Sequence, residues 1–252
     1  IYLISIVGIG RSINNLFIKS ILFEQYQNLN LFLGLIICGF TGIILNIFSP
    51  FNEYHIIFYL IIGIVLYFYN LNFKDYKRIK SELKFVLSII LLSLIFSFYA
   101  KINDDFSYHI EFIKLFKSLK LNEILHSRTM SYNSHWLFLK SFFYSKNFPV
   151  SLYAITSLVY SIMVYDFYKV YRNKISKKEF FEASFFFLSL VFFIGVLNTY
   201  KDYGTDFIGA IISIYILIIY GTNFDNNKKN LENKFFIIII MLANFALMIK
   251  IS

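Results

Sequence analysis

Long apolar runs, separated by short polar segments, dominate this chain from end to end. A helix needs about 20 mostly apolar residues to cross a bilayer, because only a helix satisfies its own backbone hydrogen bonds in hydrocarbon. An apolar stretch at 1–9 is a candidate remnant of one such span. Seven other runs approach the required length, at 29–48, 55–72, 84–100, 148–168, 181–198, 207–223 and 235–250. The pattern predicts an all-α fold, a polytopic transmembrane helix bundle of about seven or eight spans.

The segment 101–147 is the long stretch between predicted spans, and we expect it to hold the function. Within it, Trp136–Tyr144 is apolar but too short to cross a membrane, which predicts a re-entrant or interfacial helix. In residues 106–119 of the same segment, apolar and polar residues recur at helical spacing. This predicts an amphipathic helix at the membrane interface or on the protein's own outer surface. Its apolar side comprises Phe106, Ile110, Ile113, Phe116 and Leu119, and its polar side Ser107, Glu111, Lys114 and Ser118.

Composition excludes a soluble globular domain. Hydrophobic residues make up 58% of the chain and charged residues 15%, whereas soluble proteins average roughly 45–50% and about 25%. The net charge of +9 comes from short basic clusters between apolar runs, so it indicates membrane topology rather than nucleic-acid binding. Cys38 is the only cysteine, which excludes a disulfide framework and a thiolate metal site.

The distribution of Lys and Arg predicts which loops face the cytoplasm, because basic loops stay preferentially on that side. One alternate set of loops contains fifteen of the 24 Lys and Arg residues, and the other set contains nine. We therefore predict that 101–147 and 199–206 are extracytoplasmic. The predicted cytoplasmic loops are 10–28, 73–84, 169–180 and 224–234.

An acidic and aromatic motif, Asn103–His109, directly follows the third predicted span. Its adjacent carboxylates, Asp104 and Asp105, lie at a membrane boundary, where mutual repulsion and desolvation favour a carboxylate that acts as a general base. If the segment is helical, Asp104 lies beside Tyr108 and Asp105 beside His109, so the histidine can orient a carboxylate or share a metal. The alternative is that Asp104 only caps the helix that follows.

A polar and aromatic cluster, 126–136, leads into the short apolar segment of the long loop. Within it, Arg128 can hold a phosphate through paired, charge-assisted hydrogen bonds. The alternative is a membrane anchor, since a single Arg near lipid headgroups needs no ligand.

The next loop on the same predicted side, 199–206, carries two more carboxylates just before the span 207–223. Asp202 and Asp206 can face the compartment that holds the first acidic pair, and we expect the two pairs to lie within about 10–12 Å. Four carboxylates on one membrane face form a candidate site, and a sugar phosphate or a cation with bound waters could bridge a gap of that size. Thr205 or Asp206 can instead cap the next helix.

These motifs resemble the GT-C superfamily of membrane glycosyltransferases. More narrowly, three segments are similar to a large, functionally uncharacterised family of bacterial multispanning proteins: Asn103–His109, Arg128-Thr129 with Ser134, and Lys201–Asp206. The resemblance implies two domains, an N-terminal transmembrane extension at 1–83 and a GT-C-like core at 84–252.

In GT-C enzymes the first outer loop carries an essential carboxylate, and some members have a further acidic pair between their third and fourth core spans. Counting Leu83–Ala100 as the first core span puts Asp202 and Asp206 in that position. The chain departs from the pattern by lacking an Asp-x-Asp there and by ending before the later spans and any soluble C-terminal domain. Since it also begins at Ile1 without a methionine, we expect a fragment of a longer protein.

The resemblance implies an envelope sugar transferase in the bacterial inner membrane. Its donor would be a polyprenyl-phosphate-linked sugar, transferred with inversion at the extracytoplasmic face to a glycan, lipid or protein. Asp104 or Asp105 would deprotonate the acceptor hydroxyl, while a divalent cation, or Arg128 and Lys201, would stabilise the phosphate leaving group. The other residues expected to bind substrate are Tyr108, His109, Asp202 and Asp206.

Two other classes of protein fit this layout. A polysaccharide polymerase of the O-antigen type also uses lipid-linked sugars, but it is expected to rely on arginines in large outer loops, and this loop offers only Arg128. A transporter or flippase is favoured by broken helices and by charged residues near the middle of the membrane, and the sequence shows neither clearly.

Overall fold

The computed structural model describes residues 1–19, 27–71, 76–98, 110–125, 135–147, 151–199, 205–223 and 232–250. The secondary-structure elements in these residues are all helices, so the predicted all-α fold is confirmed. They are α1 (Tyr2–Ile13), a π-helical segment (Asn14–Ile18), α2 (Gln27–Phe48), α3 (Glu53–Tyr69), α4 (Tyr76–Phe98), α5 (Ile110–Ser118), α6 (Leu121–Leu125), α7 (His135–Phe143), α8 (Ser151–Ser176), α9 (Phe180–Thr199), α10 (Thr205–Asn223) and α11 (Glu232–Lys250).

All seven predicted apolar runs form helices. α4 begins at Tyr76, well before the predicted 84, and α8 continues to Ser176, well past 168. Both helices extend through polar segments because Lys, Arg and Glu have good helix propensity. Among the described residues, Asn28–Phe48 is the one helix that is both long and apolar enough to cross a membrane, and the other apolar helical stretches are shorter. The number of spans therefore stays a prediction.

α1 continues past the apolar stretch at 1–9 as far as Ile13, and most of its residues are buried. It lies between α2 and α3, and glycines at the contacts let the backbones approach closely. A Cβ atom at Gly8 would overlap the carbonyl oxygen of Gly63 in α3. Nearby, Ser5 Oγ donates a hydrogen bond to the carbonyl oxygen of Leu60 at 2.9 Å, which fixes the two helices in register.

Two sets of contacts define the two ends of the bundle. At one end, the N–H of Phe51, in the turn between α2 and α3, donates to the carbonyl oxygen of Phe116 in α5 at 3.2 Å. There the hydroxyl of Tyr2 in α1 also donates to the carbonyl oxygen of Phe143 in α7 at 3.1 Å. We call this the Phe51 end.

The opposite end, called the Arg11 end, joins α1, α3 and α4 through three side chains. Arg11 Nη2 donates to Glu82 Oε1 at 2.9 Å, and the hydroxyl of Tyr67 donates to Glu82 Oε2 at 3.0 Å. Tyr67 lies roughly 20 Å along α3 from its N-cap, at a rise of about 1.5 Å per residue. The contact therefore lies one helix length away from the Phe51 end.

A continuous core connects the described helices. Its largest fully buried side chains include Trp136 in α7, Tyr160 in α8, Tyr215 in α10 and Phe32 in α2. The rings of Phe32 and Tyr215 pack with their centroids 5.2 Å apart. The core takes residues from both 1–83 and 84–252, and the predicted domain boundary between them stays a prediction.

Candidate functional site

Most predicted site residues lie outside the described part of the chain: Asp104, Asp105, Tyr108, His109, Arg128, Lys201 and Asp202. Asp206 lies in the first turn of α10, and its side chain is also outside the described part. The expected separation of the two acidic pairs therefore stays a prediction. Within the described ranges, no three His, Cys, Asp or Glu side chains group in a way that could hold a metal ion. The structure does give the direction of the helices that flank the motifs.

α8 begins close to the Phe51 end. The N–H of Lys146, shortly before α8, donates to Glu53 Oε1 in the first turn of α3 at 3.1 Å. Only a few residues separate Lys146 from Ser151, where α8 begins. α8 therefore runs from the Phe51 end toward the Arg11 end.

α4 lies antiparallel to α8. Ser93 Oγ in α4 and Ser161 Oγ in α8 are hydrogen-bonded at 3.0 Å. Farther from the Phe51 end, the rings of Phe85 in α4 and Tyr165 in α8 pack with centroids 5.4 Å apart. α4, the helix before the first acidic motif, therefore ends toward the Phe51 end.

α9 and α10 flank the second acidic motif. A tight turn after α8 reverses the chain, with Lys178 in the left-handed conformation (φ 61°) and Lys174 Nζ paired with Glu179 at 2.7 Å. α9 then packs along α8 and ends at Thr199, and α10 begins at Thr205. The helix ends around both acidic motifs therefore lie toward the Phe51 end.

The predicted amphipathic helix is confirmed over α5. Ile113 and Phe116, from its apolar side, are buried, and Phe116 packs against Phe138 of α7 with ring centroids 4.9 Å apart. The exposed residues include Glu111, Lys114 and Ser118 from its polar side. Residues 106–109 lie outside the described part. The apolar side of α5 thus packs on the protein's own helices, which is one of the two predicted arrangements.

The predicted short helix at Trp136–Tyr144 is confirmed as α7, and all of its residues are buried. α7 packs between α2, α5, α8 and α11. It begins at His135, which lies against Gly39 near the middle of α2, and the ring of Phe142 near its other end packs on Phe51, 5.2 Å away. α7 therefore runs from the middle of the bundle to the Phe51 end. The Nε2 atom of His135 is buried and has no hydrogen-bond partner among the described residues.

A cluster of four titratable side chains, Glu53, His55, Lys117 and Lys146, lies at the Phe51 end and is called the Lys117 cluster. Asn52 caps α3 by accepting a hydrogen bond from the N–H of His55 at 3.0 Å, which places Glu53 and His55 in the first turn. The hydrogen bond from the N–H of Lys146 to Glu53 adds the segment after α7. α5 contributes Lys117, one residue after its hydrogen bond to the α2–α3 turn.

The positive charge of Lys117 is incompletely compensated. Burial lowers the pKa of its ammonium group to about 8, Glu53 opposes this shift, and Lys146 adds to it. The Nζ atom of Lys117 and the Nδ1 atom of His55 are both buried, and neither has a hydrogen-bond partner in the described ranges. His55 is close enough to Lys117 for their charges to interact. Unpartnered donors and a surplus of basic groups are what anion binding requires.

The sequence does not reveal this cluster. In the sequence His55 is only a polar residue at the edge of a predicted span, and Lys117 and Lys146 are only loop charges. One weak signal is that Lys117 lies one turn after Ile113, at the border of the apolar side of α5. The approach of three separate segments is a property of the tertiary structure.

Comparison with known proteins gives a family but no activity. A family model matches residues 1–252, and its description is "Domain of unknown function (DUF8201)". No curated protein and no solved structure matches the chain.

Proposed function

This chain belongs to the DUF8201 family, and on that premise we propose its function from its own residues. It is an integral protein of the bacterial inner membrane, with about seven or eight spans. It transfers a sugar from a polyprenyl-phosphate donor at the extracytoplasmic face, for synthesis of a cell-envelope glycan. Asp104 or Asp105 deprotonates the acceptor hydroxyl, and Arg128 and Lys201, or a divalent cation, stabilise the phosphate leaving group. Substrate contacts come from Tyr108, His109, Asp202 and Asp206.

Exposed apolar side chains support insertion in a membrane. α4 exposes Leu87, Leu91 and Leu94, and in α9 Phe181 is 90% exposed with Phe185 beside it. A water-soluble monomer rarely exposes a contiguous apolar patch larger than a few hundred Å². Hydrocarbon, in contrast, favours helices whose outer surface is apolar.

The observation that carries the enzymatic proposal is the shared direction of the helix ends around the two acidic motifs. α4 and α9 end, and α10 begins, toward the Phe51 end, so one membrane face can hold both motifs. The basic loops predict that the Arg11 end faces the cytoplasm, which puts the Phe51 end on the extracytoplasmic side. This is the side on which a lipid-linked donor would present its phosphate.

The variants Asp104→Asn and Asp105→Asn in the full-length protein test the mechanism. Asparagine keeps the size and much of the capping capacity of aspartate but removes its charge and basicity. The variant of the base should insert normally and lose sugar transfer from a polyprenyl-phosphate donor by a factor on the order of 10²–10⁴, the usual contribution of general-base catalysis. The variant of the neighbouring aspartate should lose less.

Glu111→Gln is the matched control, because Glu111 is exposed on α5 and loses the same charge a few residues away. Near-normal transfer in both Asn variants would exclude this mechanism. In cells, deletion of the full-length gene should change the surface glycans seen by mass spectrometry.

One observation favours a second candidate, a transporter or flippase. α7 is a short helix that begins beside the middle of α2. In many transporters, half-helices with an end near the middle of the membrane build the substrate site. His135, buried at its start, would face such a site. Unchanged surface glycans, together with altered uptake of a small molecule in the deletion strain, would favour this candidate over the glycosyltransferase.

A further inference from the structure

The Lys117 cluster combines an excess of positive charge with buried nitrogen atoms that have no hydrogen-bond partner in the described part of the chain. Two ammonium groups, those of Lys117 and Lys146, and the imidazole of His55 lie near one carboxylate, Glu53, which already accepts the backbone N–H of Lys146. Burial of an ammonium group without a hydrogen-bonding partner is unfavourable, and Lys117 Nζ has no partner in the described ranges, so a bound anion would supply the acceptor that it lacks there.

The surroundings of Lys117 favour an anion with several oxygen atoms. The first turn of α3 contributes the positive end of its helix dipole beside His55. Donors come from three separate segments, so a single ligand must accept from several directions. A phosphate group has enough acceptor oxygens for this, whereas a carboxylate, with two oxygens in one plane, fits it less well.

We propose that Lys117, His55 and Lys146 form a binding site for a phosphate group, supplied either by an anionic lipid headgroup or by free phosphate. The site includes none of the residues assigned above to sugar transfer. It stands on contacts among described residues alone, so failure of the glycosyltransferase mechanism would leave it unaffected.

The first test compares Lys117→Met with Lys114→Met in the full-length protein, purified in detergent without phosphate. Both variants remove one positive charge from α5, but Lys114 is exposed. Inorganic phosphate is titrated by calorimetry. In a second arm, the protein is extracted from vesicles of phosphatidylcholine alone or mixed equally with phosphatidylglycerol, and retained lipid is counted by native mass spectrometry.

Lys117→Met should weaken phosphate binding or phosphatidylglycerol retention on the order of 10- to 100-fold, which is the usual contribution of a charge-assisted hydrogen bond. Lys114→Met should have little effect on either measurement. Loss in the calorimetric arm alone identifies free phosphate as the ligand. Loss in the lipid arm identifies a headgroup. Equal behaviour of the two variants in both arms would overturn the proposal.

A second variant keeps the proposal testable if Lys117→Met does not fold. Among the described residues, the charged and titratable groups that interact with Lys117 are Glu53 and His55 from α3 and Lys146 from the segment after α7. With a pKa of about 8, Lys117 loses its proton as the pH rises through that value, and binding to the wild type should weaken. Lys117→Arg stays charged and should bind with little change over the same range. A parallel decline in both proteins would contradict the assignment.

Discussion

At the residue scale, the Arg11 end holds a buried ion pair, in which each charged side chain needs the other. The Arg11 and Glu82 side chains are each 6% exposed, and the guanidinium group lies 5.1 Å from the centroid of the Tyr67 ring. A buried ion pair contributes little net stability, because desolvation offsets the attraction between the charges. Loss of one partner, however, leaves an uncompensated buried charge.

We therefore expect Glu82→Gln to lower the free energy of unfolding by about 3–5 kcal/mol. Tyr67→Phe, which removes one hydrogen bond to the carboxylate, should cost about 1–3 kcal/mol. Thermal unfolding of the full-length protein in detergent measures both. The double variant Arg11→Met/Glu82→Leu should recover part of the loss, since it removes both charges. If the double variant is as unstable as Glu82→Gln, the loss has another cause.

At the scale of elements, close glycine contacts determine how α1 fits between its neighbours. Gly8 and Gly63 face each other across α1 and α3, and a Cβ atom at Gly63 would also overlap the carbonyl oxygen of Ser5. Backbone atoms cannot move aside as a flexible side chain can. The effect of adding a methyl group therefore depends on what the new Cβ meets.

Gly63→Ala should destabilise the protein by about 1–3 kcal/mol, because the methyl group meets backbone atoms and overpacks the contact. Gly42→Ala is the matched control, since its Cβ would lie 3.1 Å from Phe138 Cε1, a side-chain atom that can shift. The gain in helix propensity, about 1 kcal/mol, should offset most of the cost there. The melting temperatures of the two variants test this, and that of Gly63→Ala should be the lower. Equal values would mean that α1 and α3 are not in close backbone contact.

At the scale of the whole molecule, the contacts give helix directions, and the basic loops predict how these helices are oriented in the proposed membrane. The Phe51 end and the Arg11 end should lie on opposite sides of the bilayer. Cys38 is buried and is the only cysteine of these 252 residues, so Cys38→Ser removes the one thiol that this part of the protein contributes.

In that background, Ser118→Cys reports on the Phe51 end and Asn173→Cys on the Arg11 end, and both positions are exposed. A membrane-impermeant maleimide should label Ser118→Cys in intact cells but Asn173→Cys only after permeabilisation. Labelling of Ser118→Cys only from the cytoplasmic side would contradict the orientation, and with it the location proposed for both acidic motifs.

The sequence by itself determined the helices. Each apolar run became a helix, and the apolar spacing around Ile113 and Phe116 predicted the buried side of α5, because helical periodicity is a local property of the chain. The sequence predicts the beginning of α4 and the end of α8 less well. Polar residues with good helix propensity continue both helices beyond their apolar parts.

Only the tertiary structure decided which of these local elements meet. Arg11 and Glu82, or His55 and Lys117, lie far apart in the sequence, and no periodicity relates them. The same holds for α1, whose glycines matter only because α3 approaches them, and for α7, whose short length did not show that it begins beside the middle of α2. Pairing between distant segments depends on how closely two backbones can approach and on whether a buried charge meets an opposite one. Both are determined only when the helices pack against each other.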